Sequence, residues 1–324
     1  MIASKFKNIV KFILVSTIFF FILRVLYQNW NQLLEYEFFF NSYLLVASLL
    51  MLIVHYFILS FVWHVLTDKM HVHINYISSV KNWFYSQLWK YIPGRFGIML
   101  GRAYLYQKGG VSIKGVSFAV LVEAVMSLIA ACVIFLFSFF LVDELRGDTA
   151  ISGNVIFIVS SITIVGWMVF LQPDIFQKVV NYALDLMKKE RITVEWSYLD
   201  SIIIFCCYLL NWLVLGGAFY LFVNSFTPVP MNELFFLTGS LAFASVVSFI
   251  SLFAPAGIGV REGILFIFLS RIMPESIAVI LSIASRMWHI VTEIGVVVMI
   301  KGIDAIIASK GRKNVLDGKR SSPE

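Results

Sequence analysis

Charged residues and cysteines are both scarce in this chain of 324 residues. Asp, Glu, Lys and Arg make up 14% of it, whereas soluble domains contain about 25%. This shortage excludes an ordinary soluble globular protein. Only three cysteines are present, and all lie in apolar stretches, which argues against both a disulfide framework and a zinc cluster.

The motifs of several enzyme classes are also missing. The sequence contains no P-loop, no G-x-S-x-G and no H-E-x-x-H. It also lacks the paired aspartates that a metal-dependent membrane glycosyltransferase would carry. We therefore expect no nucleotide-driven step, no metal and no cofactor.

Long apolar stretches fill most of the chain, which is 60% hydrophobic with a mean hydropathy of +0.88. A helix needs about 20 apolar residues to cross the hydrocarbon core of a bilayer. The sequence therefore predicts an all-α polytopic membrane protein with about six spanning helices. The candidate spans are residues 12–30, 43–66, 115–142, 151–171, 199–224 and 277–300.

Two further apolar regions, residues 78–106 and 232–271, are interrupted by proline and glycine. The first carries several lysines and arginines, and each such charge at the centre of a lipid-facing span costs roughly 2.5–3.5 kcal/mol. In the second, the leg after the break covers residues 263–271 and reaches roughly 14 Å, well short of the hydrocarbon core. We therefore predict that both regions are re-entrant hairpins.

The distribution of lysine and arginine predicts the orientation. With the N-terminus inside, most of the 25 basic residues fall in cytoplasmic segments, and the outer loops are acidic or neutral. We therefore predict a multi-pass protein of the inner (plasma) membrane with both termini cytoplasmic. The basic segment 309–324 is expected to be a disordered cytoplasmic tail.

The two hairpins then enter the membrane from opposite sides, each between two long spans. This order predicts an inverted repeat whose two-fold axis lies in the membrane plane. The spacing agrees, because Glu123 follows Pro93 at nearly the same distance as Arg286 follows Pro255. The predicted boundaries are 43–142 for repeat one, 199–301 for repeat two and 1–308 for the single transmembrane domain.

Each interruption carries the same short pattern, a proline followed four residues later by a glycine, at 93–97 and 255–259. Broken helices at membrane depth occur where the backbone is buried in protein or lines a wet cavity. The leg after each glycine begins a helix, so its backbone N–H groups and dipole favour an anion, and arginine suits phosphate. The predicted substrate-binding residues are Gly94, Gly97, Gly257, Gly259, Arg95, Arg102 and Arg261.

More charged residues fall in or near the hydrocarbon region, and the predicted charge network consists of Glu123, Glu262, Arg286, His289 and Glu293. The last three share one helix face at spacings i, i+3 and i+7. Such charges pair with each other and mark a pathway. The alternative is that they form salt bridges that lock the hairpins onto the spans, and for Glu262, Arg286 and Glu293 it is equally weighted. For His289, a hydrogen-bonded packing role is favoured over a proton relay.

Two segments carry a family resemblance. Residues 90–97 read Lys-Tyr-Ile-Pro-Gly-Arg-Phe-Gly and are followed by Arg102, the segment 109–112 and Glu123. Residues 255–263 read Pro-Ala-Gly-Ile-Gly-Val-Arg-Glu-Gly and are followed by Ser285-Arg286. With these motifs the chain resembles the lysylphosphatidylglycerol synthase transmembrane region family, also called flippase-like domain proteins, over nearly its whole length.

In that family the region forms the lipid-translocating part of multiple peptide resistance proteins, and stand-alone members occur in envelope and polysaccharide gene settings. The full synthases add a soluble aminoacyl transferase domain, whereas this chain ends shortly after its last predicted span. The resemblance therefore implies lipid flipping or transport rather than lipid aminoacylation. Where family members have Pro-Gly-Gly, this chain has Pro93-Gly94-Arg95.

We expect a flippase or transporter for an anionic or isoprenoid-phosphate-linked lipid. Its expected partners are a membrane lipid with a phosphate head group and envelope-biosynthesis enzymes, and not nucleic acid. The alternative is a membrane-embedded enzyme or enzyme partner in glycolipid or envelope lipid biosynthesis, with Glu123 or Glu262 as a base. An ion or solute channel is a weaker alternative, because nothing in the sequence resembles a selectivity filter.

Overall fold

The computed structural model describes residues 40–70, 72–91, 97–111, 113–141, 166, 172–186, 196–251 and 259–320. Within these ranges every regular element is a helix and no strand occurs. The all-α class predicted from the sequence is therefore confirmed for the described part of the chain.

Four helices form the first half of the described fold. In chain order they are α1 (Ser42–Lys69), α2 (Tyr76–Gln87) with a 3-10 turn (Leu88–Tyr91), α3 (Gly97–Gln107) and α4 (Ile113–Leu141). A short polar side chain caps the N-terminus of two of these helices. The side chain of Asn41 accepts the backbone N–H groups of Tyr43 and Leu44 at 3.1 and 3.2 Å, and Asn75 caps α2 in the same way.

A shorter helix, α5 (Pro173–Leu186), precedes the second half. Its Phe176 is buried, with its ring centre 6.5 Å from that of Phe118 and 6.1 Å from that of Trp196. These contacts attach α5 to α4.

The second half repeats the order of the first: a long helix, a shorter helix, an interruption, a short helix and a long helix. Its elements are α6 (Tyr198–Asn224), a 3-10 turn (Met231–Glu233), α7 (Leu234–Ile250), α8 (Val260–Leu269) and α9 (Glu275–Arg320). The last helix, α9, extends to Arg320. That residues 309–324 form a disordered cytoplasmic tail stays a prediction.

Four helices in the described ranges are long and apolar enough to cross a membrane: Ser42–Lys69, Gly115–Leu141, Tyr198–Asn224 and Met231–Ile250. The first three confirm the spans predicted at 43–66, 115–142 and 199–224. The predicted span 277–300 lies within α9. The predicted span 12–30 lies outside the described residues, as does 151–171 except for residue 166.

The two interrupted regions differ in the lengths of their legs. At 1.5 Å per residue, α2 and α3 measure about 18 and 16 Å, and both fall short of a hydrocarbon core of about 30 Å. In the second region α8 measures about 15 Å, whereas α7 measures about 26 Å and approaches the full thickness. In each region the two legs pack against each other. That the hairpins are re-entrant stays a prediction.

The first helices of the two halves pack side by side and run antiparallel. The Asn41 backbone N–H donates to the Ser225 carbonyl at 2.9 Å at one end, and Lys69 pairs with Asp200 at 3.0 Å at the other. Small residues allow close packing around α6, since a Cβ on Gly216 would lie 2.1 Å from Thr238 Oγ1 of α7. This packing places both interrupted regions against one central core.

Candidate functional site

Three of the predicted site residues, Gly94, Arg95 and Gly257, lie outside the described residues. The others fall into three groups of side chains. One lies in the first half, one lies in the second half, and one joins the two halves.

Arg102 of α3 is enclosed, and its side chain is 1% exposed. Its Nε donates to Ser86 Oγ at 3.0 Å, and its guanidinium forms an ion pair with Glu123 of α4. Its Cζ lies 4.0 Å from the ring centre of Trp63 and 5.5 Å from that of Trp83, so two aromatic faces stabilise the cation. The other carboxylate oxygen of Glu123 accepts from Trp83 Nε1 at 3.0 Å.

The Arg102–Glu123 pair is therefore buried and hydrogen-bonded at both partners. A head group that bound Arg102 would have to displace Glu123, and removing one partner from a buried ion pair costs about 3–5 kcal/mol. The geometry favours the salt-bridge alternative for this pair over the predicted contact of Arg102 with substrate. The pair fixes α3 to α4.

Glycines bring α3 close to the preceding 3-10 turn. A Cβ on Gly97 would lie 2.2 Å from the carbonyl oxygen of Trp89, and a Cβ on Gly101 would lie 2.6 Å from the Trp89 ring. Only glycine fits against this backbone without displacing it. Gly97, which was predicted to bind substrate, thus has a packing role.

In the second half, Glu262 of α8 accepts from Arg286 Nε of α9 at 2.5 Å and from the Gly259 backbone N–H at 2.7 Å. Gly259 has a φ of 86°, a left-handed conformation that favours glycine. The carboxylate thus caps its own helix, where the dipole stabilises negative charge. The Gly259 N–H is therefore already bonded, and binding of an anion at this helix start stays a prediction.

Arg261 also joins α8 to α9. Its NH1 donates to Ser285 Oγ at 3.1 Å. The arginine of this pair is more accessible than Arg102, since the side chain of Arg286 is 21% exposed. A ligand entering between the helices would therefore meet arginine here.

The third group joins the two halves. Lys90 of the 3-10 turn donates to Glu293 Oε1 of α9 at 2.5 Å, and Tyr56 of α1 donates to the same oxygen at 2.6 Å. The Glu293 side chain is 2% exposed and that of Lys90 is 29% exposed. The Tyr56 hydroxyl also lies 2.9 Å from Nδ1 of His289. Since its only proton goes to Glu293, the proton on the second bond must come from His289 Nδ1.

Positive charge converges on His289. The positive charges of Arg261, Lys90 and Arg286 all act on its ring. Three basic residues thus lie near a half-buried imidazole. The fold brings five of the predicted site residues together here, and it places Arg102 and Glu123 elsewhere. The five are Arg261, Glu262, Arg286, His289 and Glu293.

Two residues of this group, Lys90 and Tyr56, were not predicted as site residues. Lys90 opens the first family motif and carries a charge in an apolar region, so a signal for it was present. Tyr56 lies in the apolar run of α1, where an aromatic residue is ordinarily part of the core. Only the fold places it opposite α9.

Residues 8–298 match the family described as Lysylphosphatidylglycerol synthase TM region. No curated protein and no solved structure significantly matches the chain. The family match covers both halves of the described fold and agrees with its long apolar helices. This protein is therefore a membrane protein whose family is lipid-related, and the chain belongs to the lysylphosphatidylglycerol synthase transmembrane region family.

Proposed function

We propose that this protein is a flippase or transporter that moves an anionic or isoprenoid-phosphate-linked lipid across the inner membrane. The observation that carries the proposal is the convergence of Lys90, Arg261 and Arg286 where the two halves meet. Among the described residues, their partners include two carboxylates, those of Glu262 and Glu293. A partly buried site rich in basic side chains favours an anionic head group.

The cations of this cluster are within reach of a ligand. The side chains of Lys90 and Arg286 are 29% and 21% exposed, and an arginine fork can donate two parallel hydrogen bonds to a phosphate. Arg95, Gly94 and Gly257 complete the proposed binding site, because they lie in the interruptions next to these residues in the sequence.

The repeated order of helices supports an inverted repeat made of α1–α4 and α6–α9. In this arrangement the two interruptions are re-entrant hairpins that enter from opposite sides, and both termini are cytoplasmic. The lipid crosses as one half moves against the other, which requires the Lys90–Glu293 pair to separate. Since the sequence has no nucleotide-binding motif, an ion gradient, the membrane potential or the lipid gradient supplies the driving force.

Transport is favoured over lipid modification because neither candidate base has an oxygen without a donor. One oxygen of Glu123 accepts from Trp83 and the other pairs with Arg102. In Glu262, one oxygen pairs with Arg286 and the other accepts a backbone N–H. A base that removed a proton from a substrate would first have to leave these contacts.

The test is lipid translocation in liposomes that contain the purified protein and head-group-labelled lipids. The panel consists of an anionic phospholipid, an isoprenoid phosphate and a zwitterionic control. We expect Arg261→Ala to slow translocation strongly. The matched control is Arg271→Ala, because Arg271 lies just past the end of α8 with its Cζ 5.9 Å from the Phe268 ring centre, and this variant should keep the wild-type rate.

A full translocation rate in Arg261→Ala contradicts the proposed site. Analysis of the recovered lipid separates the two functions. An unchanged lipid with altered leaflet exposure supports transport, whereas chemical conversion of the lipid supports the enzyme.

A further inference from the structure

In the described part of the chain, three pairs of polar or charged side chains join α2 and its turn to α9. They are Lys90 with Glu293, Tyr85 with Lys301, and Lys81 with Asp304. The first and third are ion pairs, and in the second the Lys301 ammonium lies 5.9 Å from the ring centre of Tyr85, within the range of a cation–π interaction. The partners follow each other in opposite order along the two segments, so α2 and α9 are antiparallel. We refer to these three pairs as the polar contact.

The repeated order of helices gives the polar contact a counterpart. Since α2 corresponds to α7 and α9 corresponds to α4, the counterpart lies between α7 and α4. Aromatic rings meet there: the ring centres of Phe135 and Phe243 are 4.4 Å apart, and those of Phe137 and Phe235 are 6.1 Å apart. This apolar contact is also the more extensive of the two. Two corresponding contacts between the halves are therefore built from different chemistry.

A charged head group can pass the polar contact far more easily than the apolar one. Charge among apolar side chains in a membrane is expensive, and phenylalanine rings give a phosphate no partner. Lys90 can instead exchange the Glu293 carboxylate for a phosphate, which replaces one anion by another. Glu293 has a second donor, the Tyr56 hydroxyl at 2.6 Å, and Tyr56 lies on α1 and not on α2. The pair can therefore separate without leaving either group without a hydrogen-bond partner.

The two ends of the polar contact differ in exposure. At one end the side chains of Lys81 and Asp304 are 31% and 38% exposed, whereas at the other the side chain of Glu293 is 2% exposed. An exposed ion pair contributes at most about 1 kcal/mol, so the Lys81–Asp304 pair does little to hold the helices together. From Glu293 to Asp304 the helix rises about 16 Å, roughly half of the hydrocarbon core. The polar contact thus runs from the buried Lys90–Glu293 pair to an exposed end.

We propose that α2 and α9 separate to admit the lipid head group to Lys90, while α4 and α7 stay together. The admission of lipid rests on the proposed function, whereas the separation of the two helices does not. The head group enters at the exposed end of the polar contact and replaces Glu293 at Lys90. The apolar tail of the lipid stays in the bilayer beside the two helices. Of two corresponding contacts between the halves, only the polar one is then a gate.

Thiol modification tests the separation without any measurement of transport. Val297 is 4% exposed and lies one turn after Glu293 on α9, and Ala131 is 1% exposed and lies one turn before Phe135 on α4. Each therefore shares a helix face with a residue of its contact. Val297→Cys and Ala131→Cys are made in a background without native thiols, which carries Cys132→Ala, Cys206→Ala and Cys207→Ala. We expect a water-soluble methanethiosulfonate to modify Val297→Cys several-fold faster than Ala131→Cys. Equal rates contradict the separation, whether or not the protein moves lipid.

Cross-linking tests whether lipid movement needs the separation. Lys81→Cys with Asp304→Cys, in the same background, is bridged by a reducible bifunctional thiol reagent, and translocation of the labelled lipids is measured before bridging, after it and after reduction. The matched control is Phe137→Cys with Phe235→Cys, which bridges α4 to α7 in the same way. We expect the bridge between α2 and α9 to slow translocation at least tenfold and reduction to restore it, which also shows that the variant is folded. The bridge between α4 and α7 should leave the rate unchanged.

The outcomes separate this inference from the proposed function. Translocation that continues with α2 bridged to α9 overturns the gate and leaves the proposed function standing. An equal loss of rate when α4 is bridged to α7 also overturns it, because the two contacts would then move alike. Unbridged wild type that moves none of the labelled lipids overturns the proposed function and the admission of lipid with it. The modification rates of Val297→Cys and Ala131→Cys then still decide whether α2 and α9 separate.

Discussion

Each half of the fold contains an arginine–glutamate pair among its described residues, and the two pairs have opposite polarity. In the first half the arginine is on the short helix α3 and the glutamate on the long helix α4. In the second half the glutamate is on the short helix α8 and the arginine on the long helix α9. The surroundings differ too, because Arg102 is 1% exposed and Arg286 is 21% exposed.

This difference shows how one kind of ion pair serves two purposes. Tryptophan rings and a serine surround Arg102 and exclude a ligand, so its pair holds two helices together. Arg286 is partly exposed and acts on His289 together with Arg261 and Lys90, so a head group can reach it. Stability and transport should therefore separate when each pair is changed in turn.

The largest effect on stability is expected for Glu123→Gln, which leaves Arg102 buried beside a neutral amide. Breaking a buried ion pair in this way costs about 3–5 kcal/mol of the free energy of unfolding. Denaturant unfolding in detergent measures the loss. The control is the double variant Arg102→Met with Glu123→Leu, in which no charge stays buried and much of the stability should return. A single variant as stable as wild type contradicts the anchoring role.

The second pair should show the reverse pattern. Arg286→Ala removes one charged hydrogen bond from Glu262, but Glu262 still accepts the Gly259 N–H. We therefore expect the free energy of unfolding to fall by only about 1.5–3 kcal/mol. Translocation should fall by about tenfold or more, which corresponds to a barrier increase of 1.4 kcal/mol. Liposome translocation and denaturant unfolding, measured on the same preparations, separate the two effects. A variant that loses stability but keeps its translocation rate would place both pairs in a structural role.

Much of this arrangement followed from the sequence, for physical reasons. Hydropathy identifies spans such as that of α4, because lipid selects apolar residues over a fixed length. Costly intramembrane charges single out Arg102 and Glu293. The sequence could not pair Lys90 or Tyr56 with Glu293, since these contacts join residues that are far apart in the chain and depend on how the halves dock. Nor could it show that Arg102 is enclosed, because tryptophans from two other helices surround it.

The two halves also differ in why each needs a glycine in its motif, at Gly97 and at Gly259. A Cβ on Gly97 meets the Trp89 carbonyl, so Gly97→Ala should cost about 1–3 kcal/mol through overpacking. At Gly259 the cause is instead the positive φ, so Gly259→Ala should cost about 1–3 kcal/mol through backbone strain. Asparagine tolerates the left-handed region, so Gly259→Asn should recover part of the loss and Gly97→Asn should recover none. Thermal unfolding of the four variants tests this, and equal recovery at both sites would contradict it.

The smallest effect on stability is expected for the exposed ion pair between Lys81 and Asp304, which also joins the two halves. Lys81 of α2 pairs with Asp304 of α9, as Lys90 pairs with Glu293, but these side chains are 31% and 38% exposed. Exposed ion pairs contribute at most about 1 kcal/mol and weaken with salt, so Lys81→Met should change the unfolding free energy by less than that. Lys90→Met removes a charge from a carboxylate that is 2% exposed, so it should cost more and should alter translocation, which Lys81→Met should not. If both variants slowed translocation equally, the whole contact between α2 and α9 would couple the halves. The buried Lys90–Glu293 pair would then contribute no more to transport than the exposed pair does.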